Sequence, residues 1–212
     1  MLNVKICGIR TADAARTAAG AGAAMLGFVF FPPSPRHLSL AAARALAPAL
    51  PAGPERVGVF VNADDKLLHD AVTALKLDVI QLHGQESPAR AKAIREMLGV
   101  KIIRAVGVRG GDDFDGLEAY LPHVDAFLFD AKPPIGARLP GGNARSFPWG
   151  LMQHFRLDIP WMLAGGLTAN NLADAVALSG ASAVDISSGV EKTPGNKDAA
   201  LIEAFLDAAK ML

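Results

Sequence analysis

Cysteine is nearly missing from these 212 residues: Cys7 stands alone. A single cysteine excludes an internal disulfide and suits a reducing compartment. An excess of either charge is missing too, with 21 basic residues against 21 acidic ones. Without a basic stripe, nucleic acid and anionic membrane surfaces are not expected as partners. No apolar run approaches the roughly 20 residues that a membrane span requires. Segments such as 40–47, Leu-Ala-Ala-Ala-Arg-Ala-Leu-Ala, are short and broken by charge. The chain enters a strand pattern at once, with no basic segment and apolar run ahead of it. No secretory leader is therefore expected, and the expected compartment is the cytoplasm. Gly-x-Gly-x-x-Gly is absent, which argues against a dinucleotide-binding doubly wound sheet. Gly-x-Ser-x-Gly is absent, which argues against a Ser-His-Asp hydrolase. The five histidines are scattered and share no ligand spacing with carboxylates or Cys7, so no metal site is expected.

What is present is regular. Hydrophobic residues make up 51% of the chain, enough for a sizeable core. Short β-rich apolar runs alternate with Ala/Leu-rich amphipathic stretches from end to end. The expected strands cover 4–9, 25–30, 56–61, 79–82, 101–106, 126–130, 161–164 and 183–187. The expected helices lie near 11–20, 39–49, 65–76, 88–98, 113–121, 149–155, 169–179 and 198–210. Alternation of this kind indicates βαβ units and a parallel sheet. Eight units in one compact chain favour closure, so the expected fold is α/β, a single (β/α)8 TIM barrel spanning residues 1–212 as one catalytic domain. About 200 residues is the lower end for that fold, which leaves little for insertions. Ser87-Pro88 reads as a cap followed by proline at the first helical position. Thr168 is expected to cap the seventh helix.

In such a barrel the strand C-termini form the active-site rim. Cys7 ends the first strand, where a thiol is a candidate base or nucleophile. A buried cysteine acting as a small hydrophobe is the common alternative. Asp130 ends the sixth strand, where it is either catalytic or the cap of a turn. Gln81 and His83 end the fourth as candidates to line the same mouth, with a histidine hydrogen-bonded within a turn as the alternative for His83. Arg36 lies on the proline-stiffened loop 31–39, where it is either an ordinary solvated arginine or a planar fork held ready for a carboxylate. Glycine-bearing segments close the last three strands: Gly141-Gly142-Asn143, Ala164-Gly165-Gly166-Leu167 and Asp185-Ile186-Ser187-Ser188-Gly189. Glycine lets backbone approach a ligand, and a helix N-terminus behind it offers N–H groups to an anion. Either glycine pair alone serves to close a tight turn; on consecutive strands they point to a phosphate cup made of Gly142, Gly165, Gly166, Asp185, Ser187, Ser188 and Gly189.

These residues carry a resemblance. Lys5-Ile-Cys-Gly8, Gly27-Phe-Val-Phe30 with Ser34-Pro-Arg36, Gly58-Val-Phe-Val61, Gln81-Leu-His-Gly84 and Leu128-Phe-Asp130 occur in order, followed by Ala164-Gly-Gly-Leu167, Asp185-Ile-Ser-Ser-Gly-Val-Glu191 and Pro194-Gly-Asn-Lys-Asp198. Over essentially its whole length the chain resembles the phosphoribosylanthranilate isomerase family of tryptophan biosynthesis. The resemblance implies an Amadori rearrangement of a small phosphosugar, without cofactor, by a monomer or homodimer. It implies Cys7 as general base, Asp130 as general acid, Arg36 as anchor for the anthranilate carboxylate, and glycine loops around the phosphate. One segment departs: where the family reads Gly-Gly-Thr-Gly and Phe-Asp-Trp, this chain has Gly141-Gly142-Asn143-Ala144 and Phe147-Pro148-Trp149. Alanine tolerates positive φ poorly, so this loop is expected to take another path or to turn on Asn143. The related barrel isomerase of histidine biosynthesis carries aspartate where Cys7 stands. A non-catalytic phosphosugar-binding barrel has no need of both Cys7 and Asp130. An ordinary thiol near pKa 8.5 is only a few per cent thiolate at pH 7, and a nearby helix N-terminus is expected to raise that fraction.

Overall fold

Alternation at a period of two lets each strand bury one face inside a closed sheet and the other beneath helices. The computed structural model, which describes residues 2–132, 146–154 and 158–212, shows this arrangement. Strands β1 (Asn3–Cys7), β2 (Met25–Val29), β3 (Glu55–Phe60), β4 (Val79–Leu82), β5 (Lys101–Val108), β6 (Ala126–Ala131), β7 (Trp161–Leu163) and β8 (Ala183–Ile186) pair side by side in chain order. β8 returns to pair in parallel with β1, with Lys5 opposite Asp185, and the barrel is closed. Val57, Val79, Ile103, Ala105, Ala126, Leu128, Met162 and Ala164 pack inside it. The alternate residues, such as Ile6, Phe28, Phe60, Ile80, Phe127 and Val184, face outward into the main core under the helices. Each fully buried side chain of this size contributes roughly 1.5–3 kcal/mol relative to exposure.

Helices α1 (Ala12–Gly20), α2 (Leu40–Leu46), α3 (Asp65–Leu75), α4 (Pro88–Leu98), α5 (Leu172–Ser179) and α6 (Ala199–Lys210) surround the sheet. Thr11, Ser39, Asp64, Ser87 and Asp198 cap five of them by accepting the N–H of the residue three places on. Such caps are worth about 1 kcal/mol each and fix where the chain leaves a rim loop. Thr168 is not a cap: its N–H donates to Asn171 Oδ1 at 2.8 Å, and Asn171 stands at the start of α5. None of the described helices is long and apolar enough to cross a membrane.

Two expected helices are 3-10 turns instead. Residues 113–121 split into Gly111–Phe114 and Leu117–Tyr120, because Asp115 is extended and Gly116 turns left-handed at φ 76°. The stretch expected at 149–155 forms a 3-10 turn over Trp149–His154. Gly150 lies one residue inside it, where it disfavours an α-helix. A further element was not anticipated. β9 (Glu191–Thr193) and β10 (Asn196–Lys197) form a small antiparallel hairpin turning on Pro194-Gly195, between β8 and α6.

Candidate active site

Buried polar residues are rare in a well-made core and mark places where function competes with packing. Here Lys5, Gln81, Asp130 and Asp185 are all buried. By strand alternation each shares the inner face with the apolar filling of the barrel, and Cys7 stands two residues above Lys5. Asp130, Cys7 and Gln81 lie at or next to strand C-termini, so the structure brings them to one rim.

The floor of this site is an ion pair. Lys5 Nζ donates to Asp185 Oδ1 at 2.7 Å, and the Lys5 side chain is inaccessible to solvent. Burial alone would pull the Lys5 pKa down, but the Asp185 carboxylate and a contact with Cys7 outweigh it and hold it above the usual lysine value. Burial pushes the Cys7 thiol up, against the opposing pull of the Lys5 and Lys197 ammonium groups. The nearby positive charge therefore comes from two lysines, and burial prevails over it. Gly27, the register partner of Cys7, makes room for it: a Cβ there would lie 2.9 Å from Cys7 Sγ. Cys7 packs with Val29, Val59 and Phe31 in a small apolar cluster at the rim.

His83 Nε2 lies 3.8 Å from Asp130 Oδ2. Burial first, and then the Lys5 and Arg104 charges, lower the His83 pKa to about 4, so the ring is neutral at pH 7. Gln81 Nε2 lies 3.0 Å from His83 Nδ1. As that amide is oriented, Gln81 donates and the imidazole proton sits on Nε2, facing Asp130. Gln81 Oε1 is buried with no protein partner among the described residues. Asp130 Oδ1 accepts the N–H of Ala131 at 2.8 Å, which holds the carboxyl at the strand end.

Arg36 is buried although it lies on a loop. Its Nε and Nη2 donate to the two oxygens of Glu191, each at 2.8 Å. Lys197 Nζ donates to Glu191 Oε1 at 2.8 Å and to the Ser187 carbonyl at 2.9 Å. The Arg36 fork and the neighbouring lysine outweigh burial and hold the Glu191 carboxyl below its usual range. Burial holds Lys197 below the usual lysine value despite Glu191.

The loops after β7 and β8 meet closely. Gly165 and Gly166 both take positive φ, 93° and 65°, a turn that side chains strain to make. A Cβ on Gly189 would fall 2.1 Å from the Leu167 carbonyl, so the second loop packs directly on the first. Two residues expected in this cup are turned away from it. The Asp185 carboxylate points inward to Lys5, and a carboxylate repels a phosphate. The Ser187 hydroxyl donates to the Cys7 carbonyl at 3.0 Å. Gly142 and the Gly141–Ala144 segment lie outside the described residues.

Sequence reasoning passed over Lys5, Glu191, Lys197 and Glu86 as site residues. Glu86 is a buried hub: its oxygens accept the N–H groups of Asn62 and Gly84 and pair with Arg104 at 3.0 Å, setting the loop that carries His83. Lys5 was the one open to detection, since the i,i+2 spacing to Cys7 places it on the same strand face.

Comparison with known proteins gives the family. A family model described as N-(5'phosphoribosyl)anthranilate (PRA) isomerase matches residues 4–208. The isomerase of Cereibacter sphaeroides is 51% identical over 209 residues, covering 99% of this chain and 99% of the relative. That of Paramagnetospirillum magneticum is 49% identical over 209 residues, covering 99% and 97%. Among solved structures, phosphoribosyl anthranilate isomerase from Thermotoga maritima superimposes with a TM-score of 0.86 at 36% identity over the whole of both chains. The isomerase in complex with reduced 1-(o-carboxyphenylamino)-1-deoxyribulose 5-phosphate gives 0.84 at 35%, also over the whole of both chains. With the strand-end residues, the glycine loops and this full-length agreement all coinciding, the chain belongs to the N-(5'-phosphoribosyl)anthranilate isomerase family.

Proposed function

We propose that this barrel converts N-(5-phosphoribosyl)anthranilate to 1-(2-carboxyphenylamino)-1-deoxyribulose 5-phosphate in tryptophan biosynthesis, with Asp130 as general acid and Cys7 as general base. The observation that carries the reading is that a thiol and a carboxyl, on β1 and β6, both end inner-face positions at one rim. Asp130 gives its proton to the ribose ring oxygen as the C1′–O bond breaks and the anilino nitrogen forms a Schiff base. The Cys7 thiolate then takes the C2′ proton, and the electron pair moves to leave an enolamine. Tautomerisation of the enolamine gives the ketone; C2′ is oxidised and C1′ reduced within one molecule, so no outside oxidant is involved. A thiol held above its ordinary value is rarely ionised at neutral pH but is a stronger base once it is.

Arg36 anchors the anthranilate carboxylate, using N–H groups outside its fork with Glu191. The apolar cluster of Val29, Val59 and Phe31 suits the aromatic ring. Gln81 Oε1, a buried acceptor lacking a protein donor among the described residues, accepts from a sugar hydroxyl. Backbone N–H groups of Gly165, Gly166, Ser188 and Gly189 hold the phosphate. The enzyme works in the cytoplasm on this small phosphosugar, as a monomer or homodimer.

Turnover of phosphoribosylanthranilate generated in situ, followed by loss of fluorescence, tests the assignment. Wild type turns over, while Cys7→Ser and Asp130→Asn each lose roughly 10²–10⁴-fold in kcat with fold retained. A wild type without activity, or either variant near wild-type kcat, overturns it.

A further inference from the structure

Arginine on a loop is ordinarily solvated, and its long side chain samples many rotamers. Arg36 departs from that behaviour because a second element grips its loop. At Gly8 a Cβ would lie 2.8 Å from Arg36 Cδ, so the missing side chain leaves a channel for the arginine stem. Arg10 Nη1 donates to the Pro35 carbonyl at 3.1 Å, and Gly195, at the hairpin turn, approaches the same carbonyl so closely that a Cβ there would lie 2.3 Å from it. Beyond the turn, Glu191 of β9 closes its two-bond fork on Nε and Nη2, and Lys197 of β10 steadies Glu191 from the other side. The Ser187 hydroxyl links the same corner to the Cys7 carbonyl. The hairpin thus joins the arginine loop to the strand that bears the thiol.

A guanidinium carries five N–H groups in a rigid plane. A carboxylate bound along the Nε/Nη2 edge leaves the Nη1 end directed away from the fork. Arg36, Glu191 and Lys197 together carry a net charge of one positive unit, so the cluster still attracts an anion. We propose that Glu191, backed by Lys197, is a positioning residue that aims the free Nη1 end of Arg36 at the substrate's carboxylate and so sets the preference for an acid-bearing aromatic amine. This rests on the assignment of Arg36 as the carboxylate anchor. Holding one flexible side chain ready before binding is worth on the order of 10-fold in affinity.

The test compares two product analogues, one with the ring carboxylate and one without it, as competitive inhibitors of wild type, Glu191→Gln, Arg36→Met and Glu191→Gln/Lys197→Met. Melting curves establish that each variant is folded. Where Glu191→Gln fails to fold because Lys197 is left buried without its partner, the double variant carries the test. The expected result is that Glu191→Gln raises KM about 10-fold while kcat changes by less than about 3-fold. The preference for the acid-bearing analogue should drop by a similar factor. An unchanged preference in folded Glu191→Gln, alongside a lost preference in Arg36→Met, overturns the positioning role alone. A sharpened preference also overturns it, since Glu191 would then compete with substrate for Arg36. Preference intact in Arg36→Met overturns the carboxylate assignment beneath it.

Discussion

Replacing Lys5 by methionine removes one half of an ion pair whose other half has nowhere to go. Lys5 Nζ and Asp185 Oδ1 are 2.7 Å apart, and the two side chains are 0% and 10% exposed. Methionine fills nearly the same volume, so the packing of the barrel floor changes little. What changes is the Asp185 carboxylate, left in the interior without its cation. Breaking such a pair from one side costs about 3–5 kcal/mol, because the remaining charge keeps its desolvation penalty. For a chain of this size that corresponds to a fall in Tm of roughly 6–20 °C. Lys5→Met/Asp185→Asn, which removes both charges, should recover much of the loss and sit above Lys5→Met. The pH dependence carries a sign. The Lys5 pKa is higher folded than free, so its contribution is complete below the free value of 10.5 and disappears as pH rises through the folded value. Urea unfolding of wild type, both single variants and the double variant at pH 7 measures the coupling. A Lys5→Met loss below about 1 kcal/mol, or single losses that simply add, would refute the reasoning.

Two further outcomes follow from the rim. His83 titrates near 4 when folded against 6.5 when free, so stability falls as pH drops through that window; between pH 7 and 4.5 the loss from this group is at most about 2 kcal/mol, trimmed by its partial exposure. Urea unfolding at the two pH values should show that loss in wild type and not in His83→Gln; equal losses in both would remove His83 as the cause. Gly189→Ala drives a Cβ to within 2.1 Å of the Leu167 carbonyl, so the loops after β7 and β8 must part. Stability should fall by about 1–3 kcal/mol and inorganic phosphate should inhibit less well, while unchanged inhibition would move the phosphate away from this cup.

The strands were legible because they are apolar runs rich in β-branched or aromatic residues, most of them followed by an amphipathic stretch opened by a capping residue. β4 and α4 fall on their expected residues. The 113–121 region was misjudged because its composition suits a helix while Gly116 breaks it. Pro194-Gly195 is a common turn dipeptide, yet β9 and β10 went unseen, since strands of three and two residues leave almost no periodic signal. At the site, Cys7, Asp130, Gln81 and His83 could be placed by asking what ends a strand. Their partners could not. Lys5 to Asp185 and Ser187 to Cys7 are contacts across 180 residues, and Arg36 to Glu191 spans 155. Nothing local in a sequence marks which distant charge will meet which.

Those separations bear on how the molecule comes into being at the ribosome. Cys7 and Arg36 are made well before Asp185, Glu191 and Lys197. A nascent chain that has not yet delivered β8 holds Lys5 without its counter-charge and Arg36 without its grip. Contacts this far apart in sequence are also the slow ones to form. The same pairing of first strand with last that closes the barrel therefore serves as a completeness check: a truncated or stalled product keeps the thiol and the arginine but not the surroundings that make them useful.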